Sequence, residues 1–289
     1  MEIIMFPGQG SQQLGMGKTL FAKHKNLCSR ADDTLGYSIS RLCLEDPKGQ
    51  LNQTAFTQPA LYFVCCLMYL ELLEREGDRH NVFVGHSLGL YPALFAAGVF
   101  DLITGLHIVA KRGELMQSVV GGGMMVVLGN NLETLPGKLI HHNFFDIDVA
   151  NHNSPDQVVL SGKEERMTFL LPLLEKEGFR CILLPVSGAF HSRYMESSRL
   201  SFMDFLMTQP LSPPQKIVIS STSGETLTTD FLLEEMGFQL VKPVRWFHTI
   251  QRLINDFPQA EFREIGPGKV LTGIHSKIFN AANSAQKDY

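Results

Sequence analysis

The residues best equipped for covalent chemistry form the run Gly85-His86-Ser87-Leu88-Gly89. A serine between glycines can occupy a strained strand-to-helix turn that presents its hydroxyl for attack on an acyl carbon. The N–H of Leu88 would point where a tetrahedral oxyanion forms, and the dipole of the following helix adds to that stabilisation. The pattern by itself is weak, because a tight glycine turn with an incidental serine also satisfies it. Its setting strengthens it: apolar Asn81-Val82-Phe83-Val84 precedes it as a short buried strand, and Tyr91 to Gly98 follows as an apolar helix. Ser87 is therefore expected to be a nucleophile that carries an acyl group.

A serine hydroxyl needs a general base. The chain has ten histidines. His86 would point away from the serine. His24, His80, His107, His141, His142 and His275 are read as surface residues of helices and loops, and His248 belongs to an amphipathic helix. His152, in Asn151-His152-Asn153-Ser154-Pro155, could line a cleft. His191 follows a strand in Ser187-Gly188-Ala189-Phe190-His191-Ser192 and ranks first, though spacing alone leaves several candidates open.

The elements that must position these residues follow from the apolar pattern. Residues 2–6 read as a buried strand ending in a glycine-rich loop over 7–17. Helices are expected over 17–35, over 58–76 with Pro59 in the first turn, and from an Asp101 cap to about Val119. Gly121-Gly122-Gly123 breaks the pattern. Beyond it the order is β-α-β-β-α-β, which is the order of a ferredoxin-like unit. Helices over 193–208, 231–238 and 246–257 and strands over 216–220 and 261–265 return afterwards. The fold class expected is α/β: a large α/β-hydrolase-like domain with a short parallel sheet (1–122 and 188–280) and an inserted ferredoxin-like subdomain (123–187). A loose polar tail is expected over 281–289.

The composition narrows the function classes. With 289 residues and 44% hydrophobic content, the chain can bury a large core. Its 25 basic and 29 acidic side chains nearly balance, so no nucleic-acid footprint is expected. The N-terminus lacks the form of a secretory signal, and no run of about 18 apolar residues suggests a membrane span. The five scattered cysteines give neither a disulfide framework nor a zinc site. A reduced, cytoplasmic protein is expected, without a metal; no large exposed apolar helix argues for more than a monomer.

Several motifs recur together: Phe6-Pro7-Gly8-Gln9-Gly10-Ser11-Gln12, Thr57-Gln58-Pro59-Ala60, the Ser87 pentapeptide, Arg112-Gly113-Glu114-Leu115-Met116, Asn153-Ser154-Pro155-Asp156-Gln157-Val158-Val159, Ala189-Phe190-His191-Ser192 and Gly266-Pro267-Gly268-Lys269-Val270-Leu271. In that order they resemble the malonyl-CoA:acyl carrier protein transacylases, from Met5 to about Ile278. Within that family the free-standing, trans-acting acyltransferases of polyketide synthases are nearest. The resemblance implies that Ser87 takes the acyl group as an ester and His191 is its base and later its acid. A backbone carbonyl at Gln239 would steady the imidazole, and the N–H groups of Gln9 and Leu88 would form the oxyanion hole. Arg112 would hold the malonyl carboxylate by two parallel hydrogen bonds. Gln58 and Asn153 would line the substrate site, and Phe190 would crowd a branch at the α-carbon. The implied reaction is ping-pong between malonyl-CoA and the phosphopantetheine thiol of an acyl carrier protein, with no cofactor. Carrier proteins of this type are acidic, so Lys163, Arg166, Lys176, Arg180 and Arg193 are candidates for the cleft mouth by position.

One position departs from the family pattern. Leu90 stands where Glu is common, which would change the polarity near the serine. An acyl hydrolase of the same fold is the first alternative, but it needs no carboxylate clamp. A non-catalytic carrier-protein docking module and an ordinary esterase are the others. Intact Ser87, His191 and Gln9 speak against the former; the Gln9 loop and the inserted unit speak against the latter.

Overall fold

The computed structural model describes residues 1–285. Strand β1 (Glu2–Phe6) opens the chain and leads through the glycine-rich loop to helices α1 (Lys18–Lys23), α2 (Lys25–Leu35), α3 (Ile39–Glu45) and α4 (Thr54–Glu76). Strand β2 (Val82–Gly85) then gives way to a 3-10 turn at Ser87–Gly89 and to α5 (Leu90–Ala96) and α6 (Leu102–Gln117). The middle of the chain supplies β3 (Gly122–Leu128), α7 (Leu135–His141), β4 (Asp148–Ser154), β5 (Gln157–Lys163), α8 (Glu164–Lys176) and β6 (Arg180–Leu183). The remainder is α9 (Glu196–Leu206), β7 (Ile217–Ile219), α10 (Thr229–Phe238), α11 (Trp246–Asp256), β8 (Glu261–Glu264) and α12 (Val270–Ala285).

Two sheets result. Strands β7-β2-β1-β8 form a wholly parallel sheet, with Phe6 opposite Gly85 at its C-terminal edge. Strands β4-β5-β3-β6 form an antiparallel sheet. The main core joins the parallel sheet to α4, α5 and α6, and a second cluster of Met125, Val127, Leu160, Met167 and Leu170 lies between the antiparallel sheet and its helices. The edge strand β4 is fastened to the rest of the molecule through Val244. The Val244 N–H donates to Ala150 O at 2.8 Å, and the His152 N–H donates to Val244 O at 2.9 Å.

Three expectations need correction. The helix over 17–35 is two helices, interrupted at His24. Helix α4 begins at Thr54, so Pro59 is its sixth residue and lies beyond the first turn. The Thr57 hydroxyl donates to the carbonyls of Leu51 and Gln53 from inside the helix. By length and composition α4 could also cross a membrane, yet 72% of its apolar window is buried inside the protein, as befits a core helix. Lastly, residues 281–285 are the end of α12 and not a loose tail. The Glu264 carboxylate accepts the N–H groups of Leu271 and Thr272 at the start of that helix, and Ile278 is buried along it. Residues 286–289 of the expected tail lie outside the described residues. Helix α3, capped by Ser38, had no expectation attached to it.

Candidate active site

The turn after β2 is built as the sequence pattern requires. Ser87 has φ +51°, in the left-handed region that side chains rarely adopt. Close approach of backbone to backbone makes this possible. A Cβ on Gly85 would lie 1.9 Å from the Gly89 carbonyl carbon, and one on Gly89 would lie 2.0 Å from Phe6 O. The glycines thus let β1, β2 and α5 converge beneath the serine. The backbone N–H groups of Gln9 and Leu88 donate to no protein acceptor among the described residues. The Gln9 side chain is held by Thr54 Oγ1 at 3.2 Å.

His191 is brought to the serine by the loop after β6. It also has a left-handed backbone, with φ +57°. Its Nε2 lies 2.8 Å from Ser87 Oγ, and its Nδ1 lies 2.8 Å from Gln239 O. A carbonyl can only accept, so Nδ1 carries the proton and Nε2 is left to accept from the serine. His191 is 4% exposed. Burial first, then the positive charge of Arg112, pushes its pKa down to about 3. The imidazole is neutral at pH 7.

Arg112 on α6 is 1% exposed. Its Nη1 donates to Gln58 Oε1 at 2.7 Å, and its Nη2 donates to Gln239 Oε1 at 2.9 Å and to Ser87 Oγ at 3.3 Å. The guanidinium sits 5.4 Å from the centre of the Tyr91 ring, and its Nε has no partner. Among the described residues no carboxylate pairs with it. Burial accordingly pushes the guanidinium below its ordinary pKa. Gln239 touches Ser87, His191 and Arg112 alike, because its Nε2 also donates to Ser87 O at 3.0 Å.

These side chains open onto one cavity of about 750 Å³, its mouth included. Gln9, Gln58, Ser87, Leu88, Arg112 and His191 form one side. The antiparallel sheet forms the other, with Met124 and Val126 from β3, Asn151 and Asn153 from β4, and Gln157 and Val159 from β5. Phe190 adds a ring beside the base. Asn153 Oδ1 lies 2.8 Å from His86 Nε2, and His86 packs edge-on against Trp246. The structure therefore brings together eight of the residues singled out around Ser87 and Gln239 holds the pair from behind.

Leu90 is not brought there. It is buried in the main core and does not line the cavity, so a change of charge at this position does not bear on the pocket wall directly. His152 is not there either: strand alternation sends it to the opposite face of β4, against Phe247 and His248. His80 is buried beside Glu2 and is not a surface residue. With Glu76 these two make the one grouping of metal-ligand types among the described residues, and Arg79 and Arg263 already pair with its carboxylates. Of the basic residues considered for the mouth, Arg166 is tied to Asp146 and Arg193 to Asp148, while Lys163, Lys176 and Arg180 form no ion pair among the described residues. Sequence reasoning missed the Gln239 side chain, Asn151 and Gln157. Alternation along β4 and β5 was the available signal for the last two.

Similarity to known proteins gives the family. Residues 3–288 match the family model of the acyl transferase domain. The chain is 45% identical to a polyketide biosynthesis malonyl CoA-acyl carrier protein transacylase of Bacillus subtilis (strain 168), over 95% of this chain and 96% of that one. Among solved structures, it is similar to the malonyl CoA-acyl carrier protein transacylase of Burkholderia pseudomallei, with TM-score 0.94, 38% identity and coverage of 97% and 98%. It is also similar to a malonyl-transacylase in complex with its type II polyketide synthase acyl-carrier protein, with TM-score 0.90, 32% identity and coverage of 97% and 94%. The chain belongs to the acyl transferase domain family.

Proposed function

We propose that the protein moves malonyl from malonyl-CoA to the phosphopantetheine thiol of an acyl carrier protein, in the service of polyketide synthesis. One observation carries the choice of acyl group: a buried guanidinium opens onto the cavity 3.3 Å from Ser87 Oγ, and among the described residues no carboxylate neutralises it. An isolated buried charge is costly, and a substrate that ends in a carboxylate relieves that cost while an alkyl acyl group does not. The names of the relatives support the same reading.

The residues take the following roles. Ser87 Oγ attacks the thioester carbonyl as its proton passes to His191 Nε2. The oxyanion is held by the Gln9 and Leu88 N–H groups, each worth about 3–4 kcal/mol in such a site. The C–S bond breaks and the proton leaves with CoA. The carrier thiol then repeats the sequence in reverse order. Gln239 keeps the imidazole in the required tautomer, Gln58 orients Arg112, and Phe190 limits branching at the α-carbon. The chemistry as drawn uses no cofactor, and a cytoplasmic location fits its use of CoA thioesters. The finer architecture belongs to this proposal too. Residues 1–122 and 188–280 act as an α/β-hydrolase-like body and 123–187 as a ferredoxin-like cover, and the carrier arm enters between them.

Intact mass after incubation with malonyl-CoA tests the reading. The wild type should gain one malonyl group and lose it to a phosphopantetheinylated carrier, and Ser87→Ala should gain none. Arg112→Ala should lose malonyl-CoA kcat/KM by about 100-fold or more, the cost of unmaking a buried charge-assisted pair. Release of free acid from acyl-carrier protein, without malonyl labelling, would mean hydrolysis instead.

A further inference from the structure

Arg112 bears on Ser87 and His191 in two ways that oppose catalysis. Its Nη2 donates to Ser87 Oγ at 3.3 Å, which engages a lone pair of the attacking oxygen. Its charge also disfavours the imidazolium that must form when His191 takes the serine proton. The charged and titratable groups facing His191 are Arg112 from α6, His86 from the turn after β2 and the Ser87 hydroxyl. The other contacts are the Gln239 carbonyl at Nδ1 and the Lys242 backbone. No anion from any of these elements offsets the guanidinium. Gln239 couples the two ends, because its side chain holds Arg112 and its backbone oxygen holds His191.

We propose that the carboxylate of the acyl group is an activator of the Ser87–His191 pair, separable from the carbonyl that is transferred. This rests on the malonyl-transfer reading above. A carboxylate seated on Arg112 draws Nη2 away from Ser87 Oγ and cancels the charge beside the base. The base then strengthens at the moment the correct acyl group is in place. Selection against acetyl is thereby exerted in the chemical step as well as in binding. In that step the Oγ–C bond forms and the Oγ proton moves to His191 Nε2. The C–S bond then breaks, and the proton departs with the CoA thiolate.

The test supplies the substrate in two pieces. Acetyl-CoA provides the thioester and formate provides the carboxylate. The acetyl adduct on the full-length protein is followed by intact mass as formate is raised, with sodium chloride at equal ionic strength as the control. The expected result is a saturable acceleration of about tenfold or more, as a strengthened base gives. The acid limb of the acylation profile should move to higher pH. Arg112→Met should abolish the acceleration, and the wild-type titration decides the matter even if that variant does not fold. Phenylmethylsulfonyl fluoride, a neutral serine reagent, should show the same formate dependence. A flat or falling rate with formate, or an equal rise with chloride, overturns the proposal. If malonyl-CoA still labels Ser87 in that case, malonyl transfer stands without it; absence of malonyl labelling removes the reading on which it rests.

Discussion

At the scale of the residue, Ser87 and His191 share an unusual property: both hold positive φ, at +51° and +57°. Such conformations cost roughly 1–3 kcal/mol each and persist where surrounding structure enforces them. His191 carries a second cost. Its folded pKa is pushed down to about 3, against 6.5 ordinarily. The unfolded chain therefore binds a proton that the folded one refuses. The stability contributed is complete above pH 6.5 and drains away as pH falls toward 3, by about 1.4 kcal/mol per unit. His191→Asn tolerates the left-handed backbone and removes this titration. Its urea midpoint should fall less between pH 7 and pH 5 than that of the wild type; equal falls would remove His191 as the cause. Gln239→Leu keeps the carbonyl that holds His191 and loses the side-chain contacts to Arg112 and Ser87. It should lower kcat/KM for malonyl-CoA by about 10-fold, in line with one or two hydrogen bonds to a charged group. The pH profile of acylation should also change. An unaltered profile would reduce Gln239 to scaffolding.

At the scale of the element, the seam between α4 and α6 sets where Arg112 stands, 3.3 Å from Ser87 Oγ. Gly105 and Arg112 are seven residues apart on one face of α6, and Tyr62 and Gln58 are four apart on the facing side of α4. A Cβ on Gly105 would lie 2.0 Å from Tyr62 Oη and 2.5 Å from the Phe100 ring. Gly105→Ala should therefore push the helices apart and cost about 1–3 kcal/mol of stability. It should also lower malonyl-CoA kcat/KM, measured beside urea unfolding, while a variant with unchanged stability and rate would disprove the seam. Much at this scale was legible in the sequence. The strands of both sheets, the β-α-β-β-α-β order and the Asp101 cap follow from period and punctuation. The Ser87 turn and the His191 loop were visible because each is written in a few adjacent residues. What was hidden depends on meetings between distant segments. The Gln239 side chain reaches Arg112 across 127 positions and Ser87 across 152. Helix α3 was missed because it is short, and α12 because its polar end masks a buried Ile278.

At the scale of the whole molecule, the cavity lies between a parallel and an antiparallel sheet, and its width depends on how one is fastened to the other. The fastening is at β4, through Val244 and through α11, which presents Trp246 to His86 at a ring separation of 5.3 Å. Trp246 is fully buried and is the one tryptophan of the chain. Trp246→Ala should cost about 3–5 kcal/mol, as large aromatic truncations in cores do. The ion pair of Lys277 with Asp156 ties α12 to the turn between β4 and β5 from the surface. Lys277→Ala should cost no more than about 1 kcal/mol, because the pair is exposed and screened. Urea titrations of the two variants check this ordering. Loss of comparable size in both would place the joint at the surface.

The missing countercharge of Arg112 also bears on how such enzymes diverge. Most buried ion pairs bind two positions to each other's fate, because removing one partner strands the other. On the proposed reading the partner arrives with the substrate, so Arg112 can be lost in one substitution without stranding an acid; the amide oxygens of Gln58 and Gln239 and the Ser87 hydroxyl are left to reorient. A single substitution of Arg112 is therefore expected to admit uncharged acyl groups, and its reversal to restore the preference for a carboxylate.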